Sequence, residues 1–265
     1  MLEERLKIAL EIAQRAGEYA LQNQKRITSV DEKRRDTDLV TNVDREVQKL
    51  ITEELKSHFP QDTVWGEESD YPLQDFSSTW VIDPIDGTAN FMHKIPFFSV
   101  SIAYFEKGSP VIGVIFAPNF KESFYACRGK GAFLNGEPIT VSEVKNLNRA
   151  IFGTGLPHSK EAWKRIISLY ASLLPRCQAI RSLGSAALGV AYVACGRMEG
   201  YFQADLSFYD IAAGICIAQE AGALVFDLAG NPWSAESHSL LVLSKNLSEA
   251  SKTFITRHLA EGEAS

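Results

Sequence analysis

Beyond about residue 150 the chain alternates β-rich runs with helix-patterned stretches: AIFGTG, a helix over 159 to 174, QAIRS, a helix over 185 to 195, EGYFQA, a helix over 210 to 221, then ALVFDL, SLLVLS and a last helix. Alternation of this kind commits a chain to α/β layering, in which helices cover the faces of a sheet. The first half is patterned differently. Leu6, Ala9, Leu10, Ala13, Ala16, Gly17 and Ala20 recur at helical spacing, and Val43, Val47, Leu50, Ile51 and Leu55 repeat the pattern in a second helix. TVW (63 to 65) and TWVI (79 to 82) then read as strands, and SVSIAYF, VIGVIFA and ESFYAC form an antiparallel meander punctuated by the turns EKGSP and PNFK. The expected architecture is an α/β fold of two sheets with helices between and outside them. An α+β half over residues 1–145 and an α/β half over 146–265 make one compact unit, with no repeat or flexible linker between them.

Several function classes fall away early. Twenty-seven Lys plus Arg against 33 Asp plus Glu give a formal charge of −6, which offers no footprint for nucleic acid. The densest basic run, Lys33-Arg34-Arg35, reads for the most part as a solvated loop. No apolar run reaches membrane-spanning length, and the N-terminus is charged and helix-patterned, so the cytoplasm is the expected compartment. Cys127, Cys177, Cys195 and Cys216 show no ligand spacing and read as reduced thiols. His58, His93, His158, His238 and His258 likewise show none, and Trp80, Phe97, Phe98 and Phe116 read as core aromatics.

The chemistry gathers at VIDPIDGTANF, residues 81 to 91. Pro84 fixes its own φ, lacks an N–H and biases Asp83 towards extended geometry, which places Asp83 at the end of the strand. Gly87 leaves the backbone open to a ligand, and the N–H groups of Gly87, Thr88 and Ala89 at a helix start suit an anion. Each acid here also has a structural reading. Asp83 and Asp86 fit turn and helix caps, Glu67 of GEES fits an acidic loop, and Ser207-x-x-Asp210 and Thr41-x-x-Asp44 both fit capping boxes.

Taken in order, DLVTNVD, GEES, WVIDPIDGTANF and YDIAAG, with GKGAFLNG and RSLGSAA between them, resemble the inositol monophosphatase family of Mg²⁺-dependent, lithium-sensitive phosphatases, over nearly the whole chain. The resemblance implies that Glu67, Asp83 and the Ile85 carbonyl hold one Mg²⁺ and that Asp83, Asp86 and Asp210 hold a second. It implies a weaker third ion near Glu67, an Asp44–Thr88 pair that orients the attacking water, and a homodimer. Phosphate and substrate contacts are implied for Gly87, Thr88, Asp86, Gly184, Ser185, Ala186 and Gln203, and for Lys33. Four carboxylates repel a phosphate dianion until hard cations reverse the charge, and an all-oxygen donor set without His or Cys suits Mg²⁺.

The implied reaction is hydrolysis of inositol monophosphate or a similar polyol or sugar phosphate by metal-activated water. Gln203 stands where inositol-preferring relatives commonly carry glutamate, and Tyr209 where tryptophan is usual. Fructose-1,6-bisphosphatase or nucleotide 3′-phosphatase activity is therefore the alternative within the superfamily. A non-enzymatic regulatory role in the transcription machinery is the alternative outside it.

Overall fold

The computed structural model describes residues 2–32, 39–69, 76–157 and 159–261. The chain opens with α1 (Leu2–Asn23), an antiparallel pair of short strands β1 (Val30–Glu32) and β2 (Leu39–Thr41), and α2 (Asn42–His58). Next come β3 (Thr63–Gly66) and β4 (Ser78–Asp86), the short helix α3 (Thr88–Met92), and then β5 (Ser99–Glu106), β6 (Ser109–Ala117), β7 (Glu122–Cys127), β8 (Ala132–Leu134) and β9 (Glu137–Ile139). These strands form a seven-stranded sheet in sequence order, antiparallel except for the parallel pair β3–β4.

The remainder runs β10 (Ile151–Thr154), α4 (Lys160–Leu173), β11 (Ala179–Ser182), α5 (Ala186–Ala194), β12 (Gly200–Ala204), α6 (Phe208–Glu220), β13 (Ala223–Phe226), β14 (Ser239–Ser244) and α7 (Glu249–Glu261). Its five strands are ordered β11-β10-β12-β14-β13, with parallel pairing around β10 and antiparallel pairing around β14.

Strand alternation explains the layering, because successive side chains point to opposite faces of a sheet. On β4, Trp80 and Ile82 pack with Ile12 of α1 and Val47 and Ile51 of α2, while Val81 between them faces Ala187 and Leu188 of α5 and Ala212 and Ala213 of α6. On β14, Leu240 and Val242 face Val190 of α5 and Ile215 of α6, while Leu241 and Leu243 face Ile166 and Leu169 of α4 and Ile255 of α7. The order of layers is therefore αβαβα. α5 and α6 lie between two sheets and are accordingly apolar on all sides, AALGVAYVA and, up to Gln219 and Glu220 at its end, FYDIAAGICIAQE, where an outer helix needs only one apolar stripe. Asp210 is the acidic exception near the start of α6, and it lies in the site described next.

The four cysteines carry free thiols. No helix among the described residues is long and apolar enough to cross a membrane.

Candidate active site

β4 does not end at Asp83. It continues through Pro84 to Asp86, and its register against β5 shifts: Asp83 lies opposite Ser101 and Asp86 opposite Ser99, so the β4 side carries one extra residue. Such a bulge accommodates a proline that cannot donate to the ladder and re-aims the side chains around it. Asp83 Oδ1 accepts the Ile85 N–H at 3.1 Å across the proline. The parallel pairing sets Gly66 beside Ile82, and the Glu67 N–H donates to the Ile82 carbonyl at 3.2 Å, which holds the Glu67 backbone against β4 at the residue before Asp83.

Asp44 reconciles its structural and chemical readings. Its Oδ2 accepts the Thr41 N–H at 2.9 Å and so completes the capping box of α2, while its Oδ1 accepts the Thr88 hydroxyl at 3.1 Å. Thr88 Oγ1 also lies 3.0 Å from the Ile85 carbonyl. A hydroxyl has one proton to give, so donation to Asp44 releases the Ile85 carbonyl to other partners. Asp210 also takes part in helix capping, its Oδ2 accepting the Ser207 N–H at 2.7 Å.

Asp86 is buried among protein donors. Its carboxylate accepts the hydroxyls of Ser99, at 3.0 Å, and Ser185, together with the N–H groups of Ala186 at 2.9 Å and Ala187 at 3.2 Å. Burial pushes its carboxyl up to about 6, against the lowering effect of those four donors. The Ser185 hydroxyl and the Ala186 and Ala187 N–H groups at the start of α5 are thus engaged with Asp86. Gly184, just before them, adopts φ +75, and the Asn90 amide clips this turn by donating to Phe97 O at 2.7 Å and Leu183 O at 2.8 Å.

Gly87 has φ +96, a conformation that disfavours any side chain, and a Cβ there would also come within 2.9 Å of the Gly184 carbonyl. The helix it caps, α3, has five residues, so its dipole is short and any anion there relies on individual N–H groups. Gln203 is buried in β12, its Oε1 accepting the Tyr201 hydroxyl. Lys33 and His158 lie outside the described residues.

Two phenols register where the negative charge collects. Burial and then Glu67, Asp210 and Asp83 hold the Tyr209 hydroxyl well above its ordinary range. Burial and then Asp86 and Asp210 do the same to Tyr201. All four carboxylates thus lie near one or both of these phenols, Asp83 and Asp86 buried and Glu67 and Asp210 half-buried. Among the described residues no three His, Cys, Asp or Glu side chains form a ready-made metal cage, and Asp83, Asp86 and Asp210 rest on the protein donors named above. The donor set is all oxygen and anionic, which by its chemistry fits a hard divalent cation.

Five layers with carboxylates at the end of a strand define the layered sugar-phosphatase class of fold. A family model described as the inositol monophosphatase family matches residues 1–262. The fructose-1,6-bisphosphatase/inositol-1-monophosphatase of Thermotoga maritima is 37% identical over 239 residues, 90% of each chain. The Nus factor SuhB of Pseudomonas aeruginosa is 36% identical over 261 residues, 96% of each. A solved structure of the Thermotoga maritima IMPase superposes with a TM-score of 0.89 at 34% identity, covering 98% of both chains. The chain belongs to the inositol monophosphatase family.

Proposed function

We propose that this chain is a Mg²⁺-dependent phosphomonoesterase acting on a small polyol or sugar phosphate, inositol monophosphate or fructose 1,6-bisphosphate. The observation that carries the reading is the Thr88–Asp44 hydrogen bond placed beside Ile85, Asp83 and Asp86, because helix capping alone gives Asp44 no reason to reach Thr88. Glu67, Asp83 and the Ile85 carbonyl would hold one ion, and Asp83, Asp86 and Asp210 a second. When bound, Mg²⁺ supplies the positive charge that admits a phosphate dianion and lowers the pKa of water towards neutrality.

The chain's own groups do the rest. Asp44 takes the Thr88 proton into a hydrogen bond, which turns the Thr88 Oγ1 lone pairs towards an incoming water and gives that water's proton a path to carboxylate. The Gly87 and Thr88 N–H groups donate to the phosphoryl oxygens as their charge grows. No phospho-enzyme forms. The Thermotoga relative, whose name joins both activities, supports the substrate pair, and glutamine at position 203 weakens a strict preference for inositol phosphate.

A second reading follows from the Pseudomonas relative, a Nus factor: this chain binds a partner in transcription without turnover. Phosphate release from inositol 1-phosphate, fructose 1,6-bisphosphate and 3′-AMP, with Mg²⁺, with EDTA and with added Li⁺, separates the two. Mg²⁺-dependent, lithium-inhibited release supports the enzyme. Silence across the panel supports the binding role.

A further inference from the structure

We propose that Gln48 is a positioning residue for Glu67. This inference rests on the phosphatase reading of the site. Gln48 follows Asp44 by four residues on α2, so the two side chains lie on one helix face about 6 Å apart along the axis. Asp44 reaches Thr88, while the Gln48 Oε1 accepts the Glu68 N–H at 2.8 Å. The peptide before Glu67 is fixed as well, its N–H donating to the Ile82 carbonyl at 3.2 Å. Glu67 therefore sits between two anchored peptides, one tied to β4 and one tied to α2.

Gly66 explains why the side chain can lie there. A Cβ on Gly66 would fall 2.5 Å from Gln48 Oε1 and 2.5 Å from Ile82 Cγ1, so a side chain here would press on the β4 core residue and displace the Gln48 amide from its contact with the loop. The consequence is mechanical. One helical turn carries both the residue that orients Thr88 and the residue that sets the height of the Glu67 loop, so α2 holds the water-activating pair and an acidic ligand in register. Gln48 itself is only half-buried and borders an open cavity of about 410 Å³ lined also by Arg45, Lys49, Thr52, Glu53 and Glu68, so replacing it does not empty the core.

The test is calorimetric titration of Mg²⁺ into the full chain, alongside thermal melting and phosphate release. Gln48→Met keeps length and loses the acceptor; its Mg²⁺ affinity is expected to fall about 10-fold, the lower end of the cost of losing a ligand's direct support because Gln48 acts through the Glu68 backbone, with the melting midpoint of the metal-free protein close to wild type. Gln48→Glu restores an acceptor for the Glu68 N–H and is expected to return affinity to within about 3-fold of wild type. Mg²⁺ binding by Gln48→Met equal to wild type overturns the proposal, as does a Gln48→Glu protein as impaired as Gln48→Met. Either result with an active wild type leaves the phosphatase reading standing. A wild type that neither binds Mg²⁺ nor releases phosphate removes both.

Discussion

The Thr88 hydroxyl donates to Asp44 Oδ1 at 3.1 Å, joining the turn after β4 to the first turn of α2 across 44 residues of sequence. Asp44 is fully buried, and its second oxygen caps its own helix. One carboxylate thus fixes a helix end and orients a hydroxyl in the site, and the two jobs can be separated by mutation.

Thr88→Val removes the hydroxyl and leaves the Asp44 cap intact. It is expected to lower kcat about 100- to 10,000-fold while the melting temperature changes little. Asp44→Asn keeps an acceptor for the Thr41 N–H and loses the proton acceptor, with a similar effect on kcat. The double variant is expected to be little worse than either single one, because the two groups act as a unit. Steady-state kinetics on the three proteins checks this, and additive losses would place Asp44 and Thr88 in separate roles.

Asp83→Asn retains the oxygen that accepts the Ile85 N–H, so the circular dichroism spectrum is expected to match wild type. Phosphate release is expected to fall by orders of magnitude, since an amide is a poor ligand for Mg²⁺ in place of a shared carboxylate. Wild-type turnover would remove Asp83 from the metal site.

The pH dependence follows from Asp86. Its folded carboxyl is raised to about 6 by burial, above the ordinary carboxylate value of the unfolded chain. The metal-free protein therefore keeps this proton through a window, roughly pH 4 to 6, in which the unfolded chain has lost it, so Asp86 makes the metal-free fold lose stability as pH rises through that window. Cation binding needs the ionised form. Mg²⁺ affinity is expected to fall as pH drops from 7 to 5, with proton release on binding near pH 6, read from calorimetry in buffers of different ionisation enthalpy. Binding without proton release across that range would assign the cation to other groups.

Gln203→Glu places a carboxylate where the family resemblance implies one in inositol-preferring enzymes and keeps an oxygen for the Tyr201 hydroxyl. A charge-assisted bond to a sugar hydroxyl is expected to raise kcat/KM for inositol 1-phosphate relative to fructose 1,6-bisphosphate by about 5-fold or more. An unchanged ratio would take residue 203 out of substrate selection.

Local patterning made much of this molecule legible before its structure. The helix spacing of α1 and α2 and the apolar run of β14 appear where periodicity puts them, and YDIAAG lies in a helix that starts at Phe208, two residues before the expected start at 210. Glu67 follows the short strand β3, whereas Asp83 lies inside β4, which runs on to Asp86. β1 and β2 are three residues each, too short for alternation to register. In sequence the bulge at Pro84 looks like a strand end, since a proline's missing donor has the same signature in either case until the partner strand is known. The contacts of Ser99 and Ser185 with Asp86, and of Gln48 with Glu68, join segments distant in sequence through ordinary polar residues, and nothing local marks them.

The central claim is that Glu67, Asp83, Asp86 and Asp210 gather to hold divalent cations. Mn²⁺ and phosphate soaked into a crystal of the full chain, with anomalous differences measured at the manganese edge, tests it most directly. The account predicts two strong peaks, one among Glu67, Asp83 and the Ile85 carbonyl and one among Asp83, Asp86 and Asp210, with phosphate density against the Gly87 and Thr88 N–H groups. A map with no peak among these side chains, and Asp86 and Asp210 still resting only on their protein donors, would contradict it.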